Sequence, residues 1–327
     1  MKVLIAIARE NNAREDNTDT LRCAESIEAV LSKKRISAEM MFIEPEDFLK
    51  KENDIIKQIK SKTPDCIFNL FEGFSNDAQK EIEFAAILEN SGISFTGNNS
   101  KILRRCLDKN YCKSLLSKAG IPVPEGIHLK QAEELNVQKV TLPVFIKPCC
   151  EDASVGIDND ALVFTEEDLN RVVNLKLKDY PAGLIVEEFL PDKEFNISFV
   201  GNPPYEMLGI SMMDYAQVTA EKPFMSFEAK WVKQSADFNK LIPEVIDRNK
   251  YGKLEREIID LCRKAARVIG CESYFRIDLK QKSNKVFIID INPNPDINTD
   301  SGFMRQAYSA GYTYEDIICK IVCLSKR

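Results

Sequence analysis

Histidine is almost missing from this chain of 327 residues: His128 is the only one. With no C-x-x-C pair among the ten cysteines either, no Cys/His zinc constellation is present. One histidine also leaves no Ser-His-Asp arrangement, so a side-chain nucleophile is not the expected chemistry. No apolar run approaches the ~20 residues needed to span a membrane. The first residues, MKVLIAIA, are too short for a signal h-region and read as a strand. A basic excess is lacking as well: the net charge is −6, which argues against a nucleic-acid surface. There is no G-x-G-x-x-G, which speaks against a dinucleotide, and no internal repeat or low-complexity tract.

What is present is an ordinary globular composition, 44% hydrophobic and 29% charged, long enough for two or three domains. Several cysteines (Cys262, Cys319, Cys323) sit in apolar periodic segments, where a reduced thiol behaves as a small hydrophobe. Scattered thiols predict a reducing, cytoplasmic setting. Cys149-Cys150 stands apart, adjacent and directly after Lys147-Pro148, where a lysine can lower a thiol pKa.

The most informative stretch is YFRIDLKQKSNKVFIIDINPNPDINTDSGF, residues 274–303. Two strands joined by a turn at Gln281–Lys285 carry Asp278, Asp290 and Asn292. Asp290 and Asn292 are two apart and share one face; Asp278 meets them if the register pairs it alongside. Two carboxylates and an amide carbonyl suit Mg²⁺, a hard ion that completes its shell with water and phosphate oxygens. Arg276, two before Asp278, is a cation placed for a transferring phosphoryl group. The alternative is a polar sheet face with salt links.

In chain order, Lys2–Ala8 predicts a buried strand, Thr20–Lys34 a helix, Ser37–Ile43 a strand, Pro45–Lys60 a helix, Asp65–Leu70 a strand and Lys80–Ser91 a helix. Ile93–Phe95 adds a short strand, and this βαβ alternation implies a parallel α/β unit. Asn98–Lys118 predicts one helix, stopped by AGIPVP. A second small α/β unit follows to about residue 185, with a strand ending at Lys147 and a loop, CCEDASVGI, that suits a phosphate-covering flap through Ser154 and Gly156. LIVEEF, Phe195–Val200 and Tyr205–Ser211 are read as strands of one sheet, then Leu254–Ile269 as an amphipathic helix and Tyr314–Ser325 as the last. Three units are expected: 1–104, an N-terminal α/β domain; 105–185, a central subdomain; and 186–327, a C-terminal subdomain with the metal site. Lys109, Lys147, Lys230 and Arg276 are the basic residues suited to a phosphate chain.

The motifs FNLFEG, ISFTGNNSKILRRCLDKNYCKSLLSKAGIPVP, VFIKP, IVEEFLPDKEF, FEAKW and FRIDL…IIDINPNPDINTDSG resemble, almost end to end, the D-alanine–D-alanine ligase family of the ATP-grasp superfamily. The resemblance implies an α/β ATP-grasp fold behind an N-terminal parallel α/β domain. It further implies that Lys109 and Lys147 bind ATP phosphates and that Lys230 approaches the γ-phosphate. Glu187 would meet the adenine amino group, Glu188 and Leu190 offer hinge backbone, and Glu194 holds the ribose. Asp278, Asp290 and Asn292 would carry two Mg²⁺ ions, and Arg276 would stabilise the acyl-phosphate transition state. The implied reaction joins a small-molecule carboxylic acid to an amine with formation of ADP; a homodimer is kept open as the assembly, and composition leaves no nucleic-acid or membrane partner expected.

Departures from the family fall on the substrate side. Its N-terminal Glu for the first ammonium aligns with Thr18 or Asp19, and its His-Gly loop reads Glu72-Gly73. Its Gly-Ser-Ser flap reads Asp152-Ala153-Ser154, and its Pro-Gly reads Pro295-Asp296. Ser301 aligns with the serine that receives the second substrate's carboxylate. Glu72, Asp296 and Ser154 are therefore the candidate substrate contacts, and the substrate expected is not plain D-alanine. Two other readings are a D-alanine–D-alanine ligase proper of cell-wall synthesis and a non-catalytic nucleotide-binding regulatory relative.

Overall fold

The computed structural model describes residues 1–10, 15–49, 52–75, 77–152, 154–215, 224, 226 and 242–325. The first sheet contains β1 (Lys2–Ala8), β2 (Ser37–Ile43) and β3 (Cys66–Asn69), parallel in the order β2-β1-β3. Val3 to Ile7 are all buried, as a central parallel strand covered on both faces requires. Helices α1 (Glu15–Lys33), α2 (Glu52–Ser61) and α3 (Gln79–Ser91) accompany it. The expected helix over Pro45–Lys60 divides into a 3-10 turn, Pro45–Leu49, and α2. The expected strand Ile93–Phe95 reduces to one bridge, Ile67 to Phe95.

The helix predicted over Asn98–Lys118 is broken into α4 (Ser100–Leu107) and α5 (Lys109–Lys118). Asp108 causes the break: its extended backbone ends α4, and its carboxylate accepts from the Tyr111 N–H to cap α5. The new helix start presents Lys109 to the next strand, where the Lys109 N–H donates to the Cys149 carbonyl at 3.0 Å.

The second sheet, antiparallel, holds β4 (Gly126–Leu129), β5 (Val144–Pro148), β6 (Leu162–Val163) and β7 (Leu184–Glu188) in the order β4-β7-β5-β6, backed by α6 (Glu166–Asp179). The third is antiparallel too: β8 (Glu194–Val200), β9 (Glu206–Met213), β10 (Glu244–Val245), β11 (Tyr274–Lys282) and β12 (Lys285–Asn292), ordered β10-β9-β8-β11-β12. LIVEEF and the strands after it therefore do not share a sheet, contrary to the sequence reading. Pro191, which has no N–H to give a ladder, stands in the crossing, and the Asp192 N–H already bonds the Gln281 carbonyl of the third sheet.

The third sheet divides its faces sharply. Phe275, Ile277 and Leu279 of β11 are fully buried in one core with Ile258, Cys262, Ala265 and Ile269 of α7 (Lys253–Ile269). At roughly 2 kcal/mol for each such side chain, this face holds β11 firmly. The other face of the same strand can then carry Arg276, Asp278 and Lys280. The chain ends on its beginning: Phe303 and Met304 of α8 (Gly302–Ser309) and Ile317, Ile318 and Ile321 of α9 (Tyr314–Leu324) share a core with Val3, Ile5 and Ile27.

Candidate active site

The polar face of β11 supplies the floor. Asp278 pairs directly with Asp290 across the β11–β12 ladder, and Arg276 with Asn292, so the register assumed from sequence is present. The register then slips: Leu279 opposes Ile288, which leaves Ile289 as an extra residue on β12. This bulge lies next to Asp290, turns Ile289 into the cleft and frees its carbonyl, which accepts from Lys147 Nζ at 3.2 Å.

Asp278 is the hub. It is 8% exposed and accepts Arg276 Nε at 2.7 Å and Nη2 at 2.8 Å, Asn196 Nδ2 at 2.9 Å and Asn292 Nδ2 at 3.0 Å. Burial works against the Arg276 charge, but Asp278 raises its pKa above the ordinary value. Lys109 Nζ stands 3.5 Å from Asp290 and 3.3 Å from Asp152. Burial opposes its charge too, and the two carboxylates overcome it, so Lys109 stays protonated. The donor set of Asp278, Asp290 and Asn292 consists of hard oxygens, and the protein meets its two negative charges with two cations. That chemistry fits magnesium.

Above this floor is a cleft open to solvent, with about 870 Å³ of space between its walls. Lys109, Lys147, Glu187, Glu188, Leu190, Glu194, Asp152, Ser154, Asp278 and Asp290, all singled out from sequence, line it together. Apolar walls come from Phe145, Val155, Ile157, Phe189 and Ile289. Glu187, 3% exposed, is clasped by Lys147 at 2.7 Å and Lys113 at 2.5 Å. Its burial favours the neutral acid, but the two lysines hold its pKa below the usual value. Glu188 receives Lys282 at 2.6 Å, and Glu194 accepts from the Tyr215 hydroxyl at 2.7 Å. Gly156, at φ +75°, is held against Pro148 and Tyr180, where a Cβ would stand 2.5 Å from Pro148 Cγ. Lys176 ties the flap to α6 by donating to the Gly156 carbonyl at 2.8 Å.

Lys280 was missed in the sequence reading. It is buried, lines the cleft, donates to the Leu190 carbonyl at 3.1 Å and lies over the rings of Phe189 and Tyr215. Burial lowers its pKa. Strand alternation was the available signal, since Arg276, Asp278 and Lys280 fall at i, i+2 and i+4. Lys113 and Asn196, which bond Glu187 and Asp278, carried no signal in the sequence. Lys230 lies outside the described residues.

The substrate-side candidates gather elsewhere. Asn298 Nδ2 donates to Asp19 Oδ2 at 2.9 Å and to Asp296 Oδ1 at 3.0 Å, which puts Asp19 against the loop after β12. Arg22 joins Asp19 at 2.8 Å to Asp300 at 3.0 Å. Glu72 and Asp296, both exposed, are electrostatic neighbours of Cys23 and Tyr274. Asp152 and Ser154, also singled out for the substrate side, are not in this group but in the cleft described above, Asp152 on Lys109. Ser301 caps α8, its Oγ accepting from the Met304 N–H at 3.2 Å.

Residues 115–323 match the family described as D-ala D-ala ligase C-terminus, and the chain belongs to that family. Its architecture is the ATP-grasp fold with an N-terminal parallel α/β sheet. Similar proteins include the uncharacterized protein y4sG of Sinorhizobium fredii, 27% identical over 268 residues, with 82% of this chain and 76% of that protein covered. A D-alanine–D-alanine ligase of Actinobacillus pleuropneumoniae serotype 5b is 26% identical over 275 residues, covering 83% and 84%. Among solved structures, the D-alanine–D-alanine ligase from Bacillus anthracis aligns with TM-score 0.78 at 20% identity over 99% of this chain and 97% of that one. The VanG D-Ala:D-Ser ligase from Enterococcus faecalis aligns with TM-score 0.73 at 16% identity over 99% of both chains. No helix among the described residues is long and apolar enough to cross a membrane.

Proposed function

We propose that the protein is an ATP-dependent, ADP-forming carboxylate–amine ligase that works through an acyl phosphate and whose substrates are not plain D-alanine. The observation that carries this reading is the single cleft in which buried lysines and the Asp278–Asp290 pair meet. A carboxylate is a poor acyl donor until its oxygen is phosphorylated, after which an amine nitrogen attacks the acyl carbon and phosphate leaves. Catalysis of that kind is mostly positioning and charge neutralisation, for which no side-chain nucleophile is required.

In this reading Glu187, Glu188 and Leu190 bind the base and its hinge, and Glu194 the ribose. Lys109, Lys147 and Lys230 hold the phosphates. Asp278, Asp290 and Asn292 would hold magnesium, which when bound neutralises phosphate oxygens. Arg276, already anchored on Asp278, presents its guanidinium to the transferring group. Ser301, Glu72 and Asp296 belong to the substrate side, and Ser154 serves it from the flap that lines the nucleotide cleft. The family and the names of its relatives support ligation, and the acidic substitutions favour a different substrate.

The test is phosphate release with ATP, magnesium and a panel of amino acids and small acids. Stimulation by a carboxylic acid plus an amine other than D-alanine is the result expected. Stimulation by D-alanine alone assigns a D-alanine–D-alanine ligase proper, and nucleotide binding without phosphate release for any member assigns a non-catalytic relative.

A further inference from the structure

The tract Pro148-Cys149-Cys150-Glu151 joins β5 to the flap, and its two thiols have no part in the ligation described above. Cys149 is buried and Cys150 half-buried. Backbone hydrogen bonds pin Cys149 from two sides: its N–H donates to the Gly183 carbonyl at 2.9 Å, and its carbonyl accepts from the Lys109 N–H at 3.0 Å. The second of these bonds brings up Asp108, whose Oδ1 is 3.5 Å from Cys149 Sγ. Ligand atoms of Asp108, Cys149 and Cys150 all lie within 4.8 Å of one another.

The sulfur–oxygen separation of Cys149 and Asp108 fits a known coordination shape. A tetrahedral zinc-class ion with sulfur at ~2.3 Å and oxygen at ~2.0–2.2 Å sets its sulfur and oxygen ligands about 3.5 Å apart. The observed sulfur–oxygen distance is thus already the edge of such a tetrahedron. Two sulfurs select a soft ion over magnesium, which demands oxygen. The backbone of Cys149 is also held on both sides before any ion arrives, by Lys109 at the start of α5 and by Gly183 just before β7.

We propose that Asp108, Cys149 and Cys150 form a site for a thiophilic divalent cation of the zinc or cadmium class, separate from the magnesium site. Binding replaces both thiol protons, which leave to solvent, with two metal–sulfur bonds; Asp108 supplies an oxygen, and water fills the fourth position on the half-buried Cys150 side. The ion rivets the root of the flap to the start of α5, between Lys109 and Lys147. This inference does not rest on the ligase reading.

The experiment adds cadmium alone to the reduced full chain and follows the ultraviolet thiolate-to-cadmium absorption, proton release and equilibrium dialysis. One ion per chain, with two protons released, is the expected result. Cys150→Ser should weaken binding at least tenfold. Asp108→Asn should weaken it as well while keeping the helix cap, since Asn caps as well as Asp. Cys323→Ser, which removes an exposed thiol on α9, should leave binding unchanged. Equal affinity in the parent, Cys150→Ser and Asp108→Asn, or a signal that disappears with Cys323→Ser, would overturn the assignment.

Discussion

The two sides of the proposed active site are made from different materials. On the nucleotide side charge is buried and matched: Lys109, Lys147 and Glu187 are each under 7% exposed, and each is in an ion pair. On the acceptor side Glu72 and Asp296 are exposed, and the loop is held by Asn298 and by the exposed pair of Arg22 with Asp300. A buried ion pair that loses one partner leaves an uncompensated charge costing about 3–5 kcal/mol, whereas an exposed acid can be exchanged almost freely. The first side is therefore constrained by folding as well as chemistry, and the second by its substrate alone. That difference accords with the sequence reading, in which the departures from the family fall on the acceptor side.

Asp290→Asn should have the largest effect, because it removes a metal charge and no core volume. Turnover should fall by about a hundredfold or more, the scale seen when one transition-state charge partner is deleted, while circular dichroism stays near the parent's and the melting temperature drops only modestly, because Lys109 keeps Asp152 as a partner. Normal turnover in that variant would remove Asp290 from the magnesium site and with it much of the contrast.

Lys147→Ala comes next. It leaves Glu187 buried with Lys113 as its remaining recorded lysine partner and withdraws a cation from the cleft. KM for ATP should rise about tenfold, equivalent to 1.4 kcal/mol, and the protein should also melt earlier. A variant with lowered stability but unchanged nucleotide affinity would make Lys147 a structural partner of Glu187 and nothing more.

The same contrast governs what could be read from the sequence. Asp278, Asp290, Asn292 and Arg276 were legible because strand alternation and one hairpin fix their faces. The slip at Ile289 was not legible, since a bulge leaves no mark in an apolar run such as VFII. The break at Asp108 was concealed because apolar periodicity continues through Leu107 and Cys112 on both sides. Sheet membership of LIVEEF was missed because neighbouring strands usually pair, and the crossing at Pro191 looks like an ordinary turn. On the acceptor side the sequence left Thr18 or Asp19 opposite the family's glutamate, and it gave no sign that α1 brings Asp19 to Asn298.

Glu72→Gln and Asp296→Asn probe the exposed side. If these acids face the acceptor, their field favours an amine-bearing group and repels a second carboxylate. Each change should alter the ranking of substrates in the phosphate-release panel several-fold, with KM for ATP kept within about twofold. Parent-like substrate profiles and rates in both variants would show that these acids have no part in selecting the substrate.

A carboxyl between the two sides bears on stability rather than on turnover. Glu81 of α3 accepts from Asn294 Nδ2 at 3.0 Å, and Asn294 in turn accepts from the Asn98 N–H at 3.0 Å, which joins the N-terminal unit to the loop after β12. Burial pushes Glu81 up to about 8 from an ordinary value of 4.5, with Asp152 adding to the shift and the Asn294 hydrogen bond opposing it. Because the folded value lies above the unfolded one, the native state binds the extra proton. Its contribution to stability is full below about 4.5 and is lost as pH rises to about 8. The urea midpoint should therefore decline across that window more steeply in the parent than in Glu81→Gln, where a neutral amide stands at every pH. The two proteins should differ little near pH 4.5 and diverge toward pH 8.5, with the variant the more stable. Identical slopes would mean that Glu81 is ionised in the folded protein, and that the junction of the two sides is charged like the cleft rather than neutral.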